Sequence, residues 1–263
     1  MERHLLFFDI DGTLITEGDG RIPESAKTAL KKARENGHLV FLNTGRSLSE
    51  LDDKIKSLGY DGLVCGCGTY IEFQGKQLFI KELGNEVSRE IAQDLEYFNI
   101  DGLLEGTHAL YHRRESVLPL MDMLKKAYAP LTAGDIKYWD DPMINFDKMA
   151  LWINDSSDFE SFYNKYKDMF EFINRESDFY EIVPTGYSKA TGIEFLLKYL
   201  DIPLERAVAV GDSANDISML SYVKKSMAMG NSKAFLYDIV DFVTKDIEQD
   251  GIYYGLAHYG IID

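Results

Sequence analysis

The chain has 263 residues, of which 45% are hydrophobic and 27% are charged, as in ordinary globular proteins. This composition excludes a disordered, collagen-like or low-complexity chain. The 28 Lys and Arg residues against 44 Asp and Glu residues give a formal net charge of −16 at pH 7, which disfavours nucleic acid and anionic membranes as partners. An anionic substrate would need a local cation, such as a metal ion, to approach this chain.

Cysteine usage and apolar runs predict the compartment. Cys65 and Cys67 are too few for a disulfide framework or a four-ligand zinc site, which fits a reducing environment. The early apolar run Leu5–Phe8 is too short for a signal-peptide core, and no segment approaches the roughly 20 apolar residues of a membrane span. We therefore expect a cytoplasmic protein.

Strand-like and helix-like segments alternate in the N-terminal third, beginning with a buried strand. Leu5–Phe8 is a continuous apolar run, typical of a strand that is buried on both faces of a parallel sheet. Leu39–Leu42 and Leu63–Cys65 are predicted as the second and third strands. Residues 70–80, which turn at Gln74-Gly75, are predicted to form a hairpin.

Two helices are predicted between these strands. Residues 25–36 carry alanine and leucine at helical spacing and end at Gly37, a good C-terminal cap. Leucine and isoleucine recur at the same spacing over residues 48–58, after Ser47, which forms a capping-box pattern with Glu50. The resulting β-α-β-α order predicts an α/β fold with a parallel sheet.

The same alternation resumes near the C-terminus. Residues 193–200 have helical periodicity, Ala207–Val210 is an apolar strand, Ile217–Tyr222 is a helix and Ser226–Met229 is a further short strand. Both ends of the chain therefore predict parts of one α/β core.

The middle of the chain has a different pattern. It begins with a long amphipathic helix that carries Val87, Ile91, Leu95 and Phe98, and strand candidates follow. We interpret this segment as an inserted α+β domain of ordinary size. The predicted domains are residues 1-82 and 186-263 for the core and residues 83-185 for the insert.

Two carboxylates leave the first predicted strand together. Asp9 and Asp11 lie at positions i and i+2, so an extended chain points both to the same side, and Gly12 allows a sharp turn after them. They follow the carboxyl end of a strand, where ligands bind in open α/β sheets. Asp-Gly is also a common turn dipeptide, so turn formation alone is the alternative interpretation.

A second acidic loop, residues 211–216, follows the predicted strand Ala207–Val210 and reads Gly-Asp-Ser-Ala-Asn-Asp. Asp216 is one turn beyond Asp212 if a helix begins at Ser213, so both carboxylates can face one site. The alternative is a helix N-cap with acidic residues in its first turn. Because two strands of one predicted sheet both end in paired aspartates, we favour a shared site.

Carboxylates gathered in this way need a cation. At an effective dielectric constant of about 20 and a separation of roughly 4 Å, each like-charged pair repels by about 4 kcal/mol. Oxygen ligands without a nearby histidine favour Mg²⁺, held by a few carboxylates together with waters and substrate phosphate. The pattern thus predicts a Mg²⁺ site that brings a phosphoryl group to an otherwise repulsive surface.

Two further segments offer groups that bind phosphate oxygens. Thr44-Gly45-Arg46 follows the second predicted strand, which predicts a hydroxyl and free backbone N–H groups at a helix N-terminus. Lys189 opens a predicted core helix just after the insert. A single lysine at a helix start is usually only a solvated residue, so Lys189 becomes a candidate only together with the other segments.

Taken in chain order, Asp9–Thr13, Thr44, Lys189 and residues 211–216 resemble the four motifs of the haloacid dehalogenase (HAD) superfamily. The match is similar to its Cof-like phosphatase branch, which carries a type C2 (C2B) cap between the second and third motifs. The resemblance covers the core at both ends of the chain, whereas the cap is matched by position and size. It implies a Rossmann-like parallel-sheet core with an inserted α+β cap.

The resemblance also implies roles for individual residues. Asp9 is implied to be the nucleophile that forms an aspartyl-phosphate, and Asp11 the general acid and base. The implied Mg²⁺ ligands are the carboxylates of Asp9 and Asp212 and the carbonyl group of Asp11. Asp216 is implied to orient the metal shell or Lys189. The implied phosphate-binding residues are Thr44, Gly45, Lys189 and Asn215.

One segment departs from the family's pattern. Related sequences usually have Asn-Gly where this chain has Cys67-Gly68, which bears on the local contact to the cap and not on catalysis. We interpret Cys65 and Cys67 as small buried thiols of a strand. Basic and aromatic cap residues are candidates for substrate contact, although such residues are common on protein surfaces. They are Arg113, Arg114, Trp139 and Lys148.

The residues and the resemblance together predict a Mg²⁺-dependent phosphomonoester hydrolase for small phosphorylated metabolites, with sugar phosphates as the expected class. The cap is expected to close over the site and to select the leaving group. Two alternatives stay open: a phosphotransferase or phosphomutase with the same core, and a metabolite-binding or regulatory protein that has lost turnover. Every implied catalytic position is occupied here, which weighs against the second alternative.

Overall fold

The structure is a computed structural model that describes residues 2–119, 121, 135–176 and 178–263. It divides into two compact units. The first unit comprises Met1–Gly45, Lys56–Leu78 and Ser188–Asp263, and the second comprises Arg46–Ile55 and Phe79–Tyr187. The chain therefore passes between the units at four places.

The elements are numbered along the chain. The strands are β1 (Leu5–Phe8), β2 (Leu39–Asn43), β3 (Gly62–Cys65), β4 (Tyr70–Phe73), β5 (Lys76–Ile80), β6 (Asp101–Glu105), β7 (Ala109–His112), β8 (Asp135–Tyr138), β9 (Lys148–Trp152), β10 (Phe170–Glu176), β11 (Phe179–Pro184), β12 (Ala207–Gly211), β13 (Lys225–Ala228) and β14 (Phe242–Val243). The helices are α1 (Glu24–Glu35), α2 (Asp53–Lys56), α3 (Asn85–Tyr97), α4 (Phe159–Tyr166), α5 (Lys189–Leu200), α6 (Ile217–Tyr222) and α7 (Gly251–His258).

The first unit is built on an eight-stranded sheet in the order β14-β13-β12-β1-β2-β3-β4-β5. The six strands from β14 to β3 are parallel, and β4 returns antiparallel to β3. Strand β1 is central, with Leu5 opposite both Leu39 and Ala207, and its four side chains are fully buried. The predicted α/β fold with a parallel sheet is confirmed, and the carboxyl ends of β12, β1 and β2 lie side by side.

The second unit contains a six-stranded sheet in the order β10-β11-β9-β6-β7-β8, in which only the pairing of β7 with β8 is parallel among the described pairs. Helices α3 and α4 bury Ile91 and Phe162 against one sheet face, where Leu104, Met149 and Ile182 project from three strands. Side chains alternate between the two faces along a strand. The residues next to Leu104, Met149 and Ile182 in sequence therefore project from the sheet face that α3 and α4 do not cover.

The segment after β2 differs from the prediction. The continuous helix expected over residues 48–58 is instead a short 3-10 turn, Leu48–Glu50, followed by α2. Leu51 is extended between them, and the Asp52 carboxylate accepts a hydrogen bond from the Ile55 amide, which starts a new helix. The predicted capping box is confirmed, because the Ser47 amide donates to Glu50 Oε2 over 2.7 Å.

The same segment also shifts the division of the chain. The predicted core includes all of residues 1-82, whereas the contacts of Arg46–Ile55 place this segment in the second unit. Its role as part of a catalytic or a specificity domain stays a prediction. Among the helices of the described residues, none is long and apolar enough to cross a membrane.

Candidate active site

The first pair of predicted site residues lies at the end of the central strand. Asp9 directly follows β1, and its amide donates to Val210 O over 2.9 Å, which continues the pairing of β1 with β12. The Asp9 side chain is buried, whereas Asp11 is exposed. Asp11 is therefore open to water, while Asp9 is shielded from it.

The turn after Asp11 holds a third carboxylate in place. Gly12 has a φ of +76°, and a Cβ atom at this position would lie 2.3 Å from Asp212 Oδ2. The Thr13 hydroxyl donates to Asp212 Oδ1 over 2.9 Å, and the Asn231 side-chain amide donates to Gly12 O over 2.8 Å. Glycine is needed here for both the backbone conformation and the space that Asp212 fills.

We predict that Gly12→Ala displaces Asp212 and lowers any turnover at this candidate site by about a hundredfold, the cost of moving an active-site group by roughly 1 Å. Gly18→Ala is the matched control, because Gly18 also has a positive φ, of +90°, but no atom lies within 4 Å of its Cβ position. The control should lose about 1 kcal/mol of stability through backbone strain and keep its turnover. Equal turnover in both variants would contradict the prediction.

A buried lysine links Asp9 to a fourth carboxylate, that of Asp216. Lys189 opens α5, where Ser188 and Thr191 form a capping box, and the Asn43 side chain donates to Lys189 O over 3.0 Å. Its Nζ lies 2.5 Å from an oxygen of Asp9 and 2.5 Å from an oxygen of Asp216. Burial alone would lower the pKa of Lys189, but Asp216 and Asp9 outweigh it and raise the pKa, so the lysine stays charged.

Hydrogen bonds from backbone amides to the Asp216 side chain fix the shape of the second acidic loop. Asp216 is fully buried, and its Oδ2 accepts hydrogen bonds from the amides of Asp212 and Ser213, over 2.9 and 3.0 Å. The turn is a 3-10 turn, Ala214–Asp216, and α6 follows it. Asn215 is half-buried beside it and accepts a hydrogen bond from the Ser213 hydroxyl over 2.9 Å.

The cluster carries more negative charge than Lys189 neutralises. Oxygens of Asp9, Asp212 and Asp216 lie within 4.8 Å of one another. Burial, and then Asp216, raises the pKa of Asp212 to about 7 although Thr13 donates to it. Burial and Asp216 likewise raise the pKa of Asp9 well above its ordinary value, against the effect of Lys189. An additional cation with a preference for oxygen ligands fits this donor set.

The predicted phosphate-binding loop follows β2, beside β1. Thr44 and Gly45 are buried. The expectation of a free amide at Thr44 is wrong, because this amide donates to Val64 O over 2.8 Å and continues the pairing of β2 with β3. The expected helix N-terminus is also absent immediately after Gly45 in the described chain, where the 3-10 turn begins at Leu48.

The segment that departs from the family's pattern is a strained turn. Cys65 ends β3, but Cys67 lies beyond the strand with φ at +54°, a left-handed conformation that Asn tolerates better than Cys. Both thiols are buried, as predicted. The Cys67 amide donates to Thr44 O over 3.1 Å, so this turn supports the loop that follows β2.

Two residues that position the site are not among the predicted site residues. Asn43 fixes the start of α5, and Asn231 binds Gly12 O through its amide and accepts the Ile247 amide through its Oδ1, over 3.0 Å. Their positions in the sequence could have identified them, because Asn43 ends β2 and Asn231 follows β13. Polar residues after the carboxyl ends of neighbouring parallel strands meet at one edge of the sheet.

A family model described as haloacid dehalogenase-like hydrolase matches residues 6–256. The chain belongs to this family. Over 273 aligned residues, this haloacid dehalogenase-like hydrolase is 29% identical to a protein of Bacillus subtilis (strain 168) named "Putative phosphatase YkrA", with both chains fully covered.

Solved structures share the whole fold. A hypothetical protein from Geobacillus kaustophilus HTA426 has a TM-score of 0.84 at 28% identity, with 99% of this chain and 100% of that chain covered. The HAD subclass IIB sugar phosphatase BT4131 has a TM-score of 0.80 at 27% identity, with 98% and 100% covered. These matches confirm the predicted HAD fold and the prediction of an enzyme in the phosphatase class of this superfamily.

Proposed function

We propose that this haloacid dehalogenase-like hydrolase is a Mg²⁺-dependent phosphomonoester hydrolase that forms an aspartyl-phosphate on Asp9. The observation that supports it best is the buried cluster of Asp9, Asp212 and Asp216 around Lys189, with Asp11 exposed two residues after Asp9. Such a site can bind a cation and a phosphoryl group together and offers both a nucleophile and a proton donor.

In the first step, a carboxylate oxygen of Asp9 attacks phosphorus while the bond from phosphorus to the ester oxygen breaks. The carboxylic acid of Asp11 gives its proton to the leaving oxygen. In the second step, the Asp11 carboxylate takes a proton from water, and the resulting hydroxide displaces Asp9 from phosphorus. The exposure of Asp11 suits this exchange of protons with water.

Bound Mg²⁺ would neutralise charge on the phosphoryl oxygens and on the carboxylates around it. In this proposal the carboxylates of Asp9 and Asp212 and the carbonyl group of Asp11 hold the ion. Asp216 holds Lys189 and the Asp212 amide in place. The residues that contact phosphoryl oxygens are Thr44, Gly45, Lys189 and Asn215.

The proposed substrates are small phosphorylated metabolites, with sugar phosphates first, because BT4131 is named as a sugar phosphatase. The net charge of −16 makes nucleic acid and anionic membranes poor partners. The two buried cysteines, which form no disulfide, fit the cytoplasm as the compartment.

The test is phosphate release from a panel of phosphorylated sugars, nucleotides and cofactors, with and without Mg²⁺. We expect turnover that requires Mg²⁺ and is fastest on one class of the panel. Phosphoryl transfer to added sugar in preference to water would favour a phosphotransferase or phosphomutase. Ligand binding that depends on Mg²⁺ without any phosphate release would favour a protein that has lost turnover.

We predict that Asp212→Asn raises the Mg²⁺ concentration for half-maximal activity by at least about tenfold, because it removes one proposed anionic ligand. The measurement is activity against Mg²⁺ concentration, together with calorimetric Mg²⁺ binding. Asp238→Asn, an exposed aspartate of the same unit, serves as the control and should leave the curve unchanged. An unchanged curve for Asp212→Asn would remove this residue from the proposed metal site.

A further inference from the structure

The turn that follows the proposed phosphate-binding loop belongs to the second unit. Gly45 ends a segment of the first unit, and Arg46 begins a segment of the second. The 3-10 turn Leu48–Glu50 comes next. Ser47 and Ser49 are at most 2% exposed, so each buried hydroxyl needs a hydrogen-bond partner.

The Ser49 hydroxyl joins this turn to the six-stranded sheet. Its Oγ donates over 2.7 Å to the backbone oxygen of Gly106, the residue that follows β6. The Gly106 amide donates to Ala109 O at the start of β7 over 3.0 Å, and a Cβ atom on Gly106 would lie 2.5 Å from Asn145 O. Gly106 is therefore held closely by its neighbours, and its carbonyl oxygen is a fixed acceptor.

Each serine hydroxyl in this turn has a single proton to donate. A carbonyl oxygen can only accept, so the proton of Ser49 lies in the bond to Gly106 O. The Ser47 hydroxyl donates to Glu50 Oε2 over 2.9 Å and also lies 3.0 Å from Ser49 Oγ, which accepts. The Ser47 amide donates to the same Glu50 oxygen over 2.7 Å. The bond to Gly106 thus completes a chain of hydrogen bonds that includes Ser47 as well as Ser49.

Gly45 lies between this turn and a second fixed point. The Thr44 amide donates to Val64 O over 2.8 Å, and Thr44 O accepts from the Cys67 amide over 3.1 Å. Only one residue besides Gly45 separates Thr44 from Ser47. A connection of two residues between fixed ends permits few backbone conformations, so a displacement of the turn changes the φ and ψ angles of Gly45.

We propose that Ser49 is a positioning residue: its hydrogen bond to Gly106 holds the turn Ser47–Glu50 on the six-stranded sheet and thereby fixes the backbone of Gly45 for phosphate binding. The role of Gly45 in phosphate binding rests on the proposed phosphatase function. The hold of Ser49 on the turn does not, and it can be measured without a substrate. Phosphate affinity would then depend on a contact within the second unit, although Gly45 belongs to the first.

The test compares wild type with Ser49→Ala, which removes the donor to Gly106 O. Leu51 and Ile55 in the same segment are fully buried, so the variant should still fold. Ser157→Ala is the matched control in the second unit, because the half-buried Ser157 hydroxyl also donates to a distant backbone oxygen, that of Asn99, over 2.8 Å. Each variant loses one hydrogen bond of this kind, but only Ser49→Ala should affect the turn.

Amide hydrogen exchange, followed by NMR, measures the hold on the turn. Ser49→Ala should raise the exchange rates of the Ser47, Glu50 and Leu51 amides by at least about tenfold, because all three are bonded within the turn. Ser157→Ala should leave these rates unchanged. Unchanged rates in Ser49→Ala, or an equal rise in the control, would overturn the proposal.

Inorganic phosphate tests the positioning role. Its dissociation constant, measured by calorimetry with Mg²⁺ present, should rise about tenfold in Ser49→Ala, the effect of weakening one hydrogen bond to a charged group. KM should rise by a similar factor while kcat changes by less than about threefold, because the contact is made both before and during the reaction.

The outcomes separate the two parts of the proposal from the proposed function. Faster exchange in the turn of Ser49→Ala with unchanged phosphate affinity would overturn the positioning role. Equal losses of phosphate affinity in Ser49→Ala and Ser157→Ala would overturn it as well, since they would reflect a general loss of structure. A wild-type protein that neither releases nor binds phosphate would count against the proposed function, and the exchange rates would still decide whether Ser49 holds the turn.

Discussion

Replacing Asp9 by Asn is expected to abolish phosphate release, with a loss of about 10⁴-fold or more in kcat. The amide has nearly the shape of the carboxylate but lacks the nucleophilic oxygen that the proposed mechanism needs. Acid quenching during turnover should trap phosphate on wild type and none on the variant. The measurements are steady-state phosphate release and mass spectrometry of the quenched protein.

The stability of Asp9→Asn separates lost chemistry from lost structure. Burial and Asp216 raise the pKa of Asp9, so without metal its ionised form destabilises the folded state at neutral pH, and a neutral Asn should be tolerated. Asp201→Asn is the control, because Asp201 is an exposed helix cap whose left-handed backbone Asn adopts readily. A folded Asp9→Asn protein that keeps more than about 1% of wild-type activity would exclude Asp9 as the nucleophile.

Replacing Lys189 by Met is expected to lower the free energy of unfolding by about 3–5 kcal/mol, as when one partner of a buried ion pair is removed. The ammonium group is fully buried between Asp9 and Asp216, and an apolar side chain would leave their two carboxylates facing each other. Activity should fall as well, because Lys189 is a proposed contact of the phosphoryl group. Urea denaturation near neutral pH is the measurement.

Lys198 provides the matched control on the same helix. Its side chain is 75% exposed and pairs only at the surface with Glu194, so Lys198→Met should change stability by less than about 0.5 kcal/mol. A Lys189→Met protein as stable as this control would mean that the ion pairs of Lys189 contribute little to folding.

The sequence predicted the centre of the site because parallel strands impose simple geometry. Apolar runs located β1 and β12, and the aspartates that follow them meet because the two strands are adjacent and parallel. The contacts of Lys189 could not be predicted in the same way. Lys189 lies 180 positions from Asp9, and its position depends on the Asn43 contact to α5.

Contacts also determine the secondary structure of the segment after β2. Helical periodicity over residues 48–58 predicted a helix, but the periodicity does not show that Asp52 caps a separate helix. Lys148 was grouped with surface residues because basic side chains are usually exposed. It is buried because Glu105 and Glu181 lie on the neighbouring strands, a pairing that becomes visible only when the sheet is assembled.

The four chain crossings between the units affect how the insert can be exchanged among relatives. A chimaera that replaces only Phe79–Tyr187 would keep its original Arg46–Ile55 segment, and Ser49 would then meet a foreign sheet in place of Gly106. Recombination at two points is therefore insufficient to transfer this unit intact. Inheritance of the insert and of the short segment after Gly45 is coupled, so substitutions in one should be accompanied by substitutions in the other.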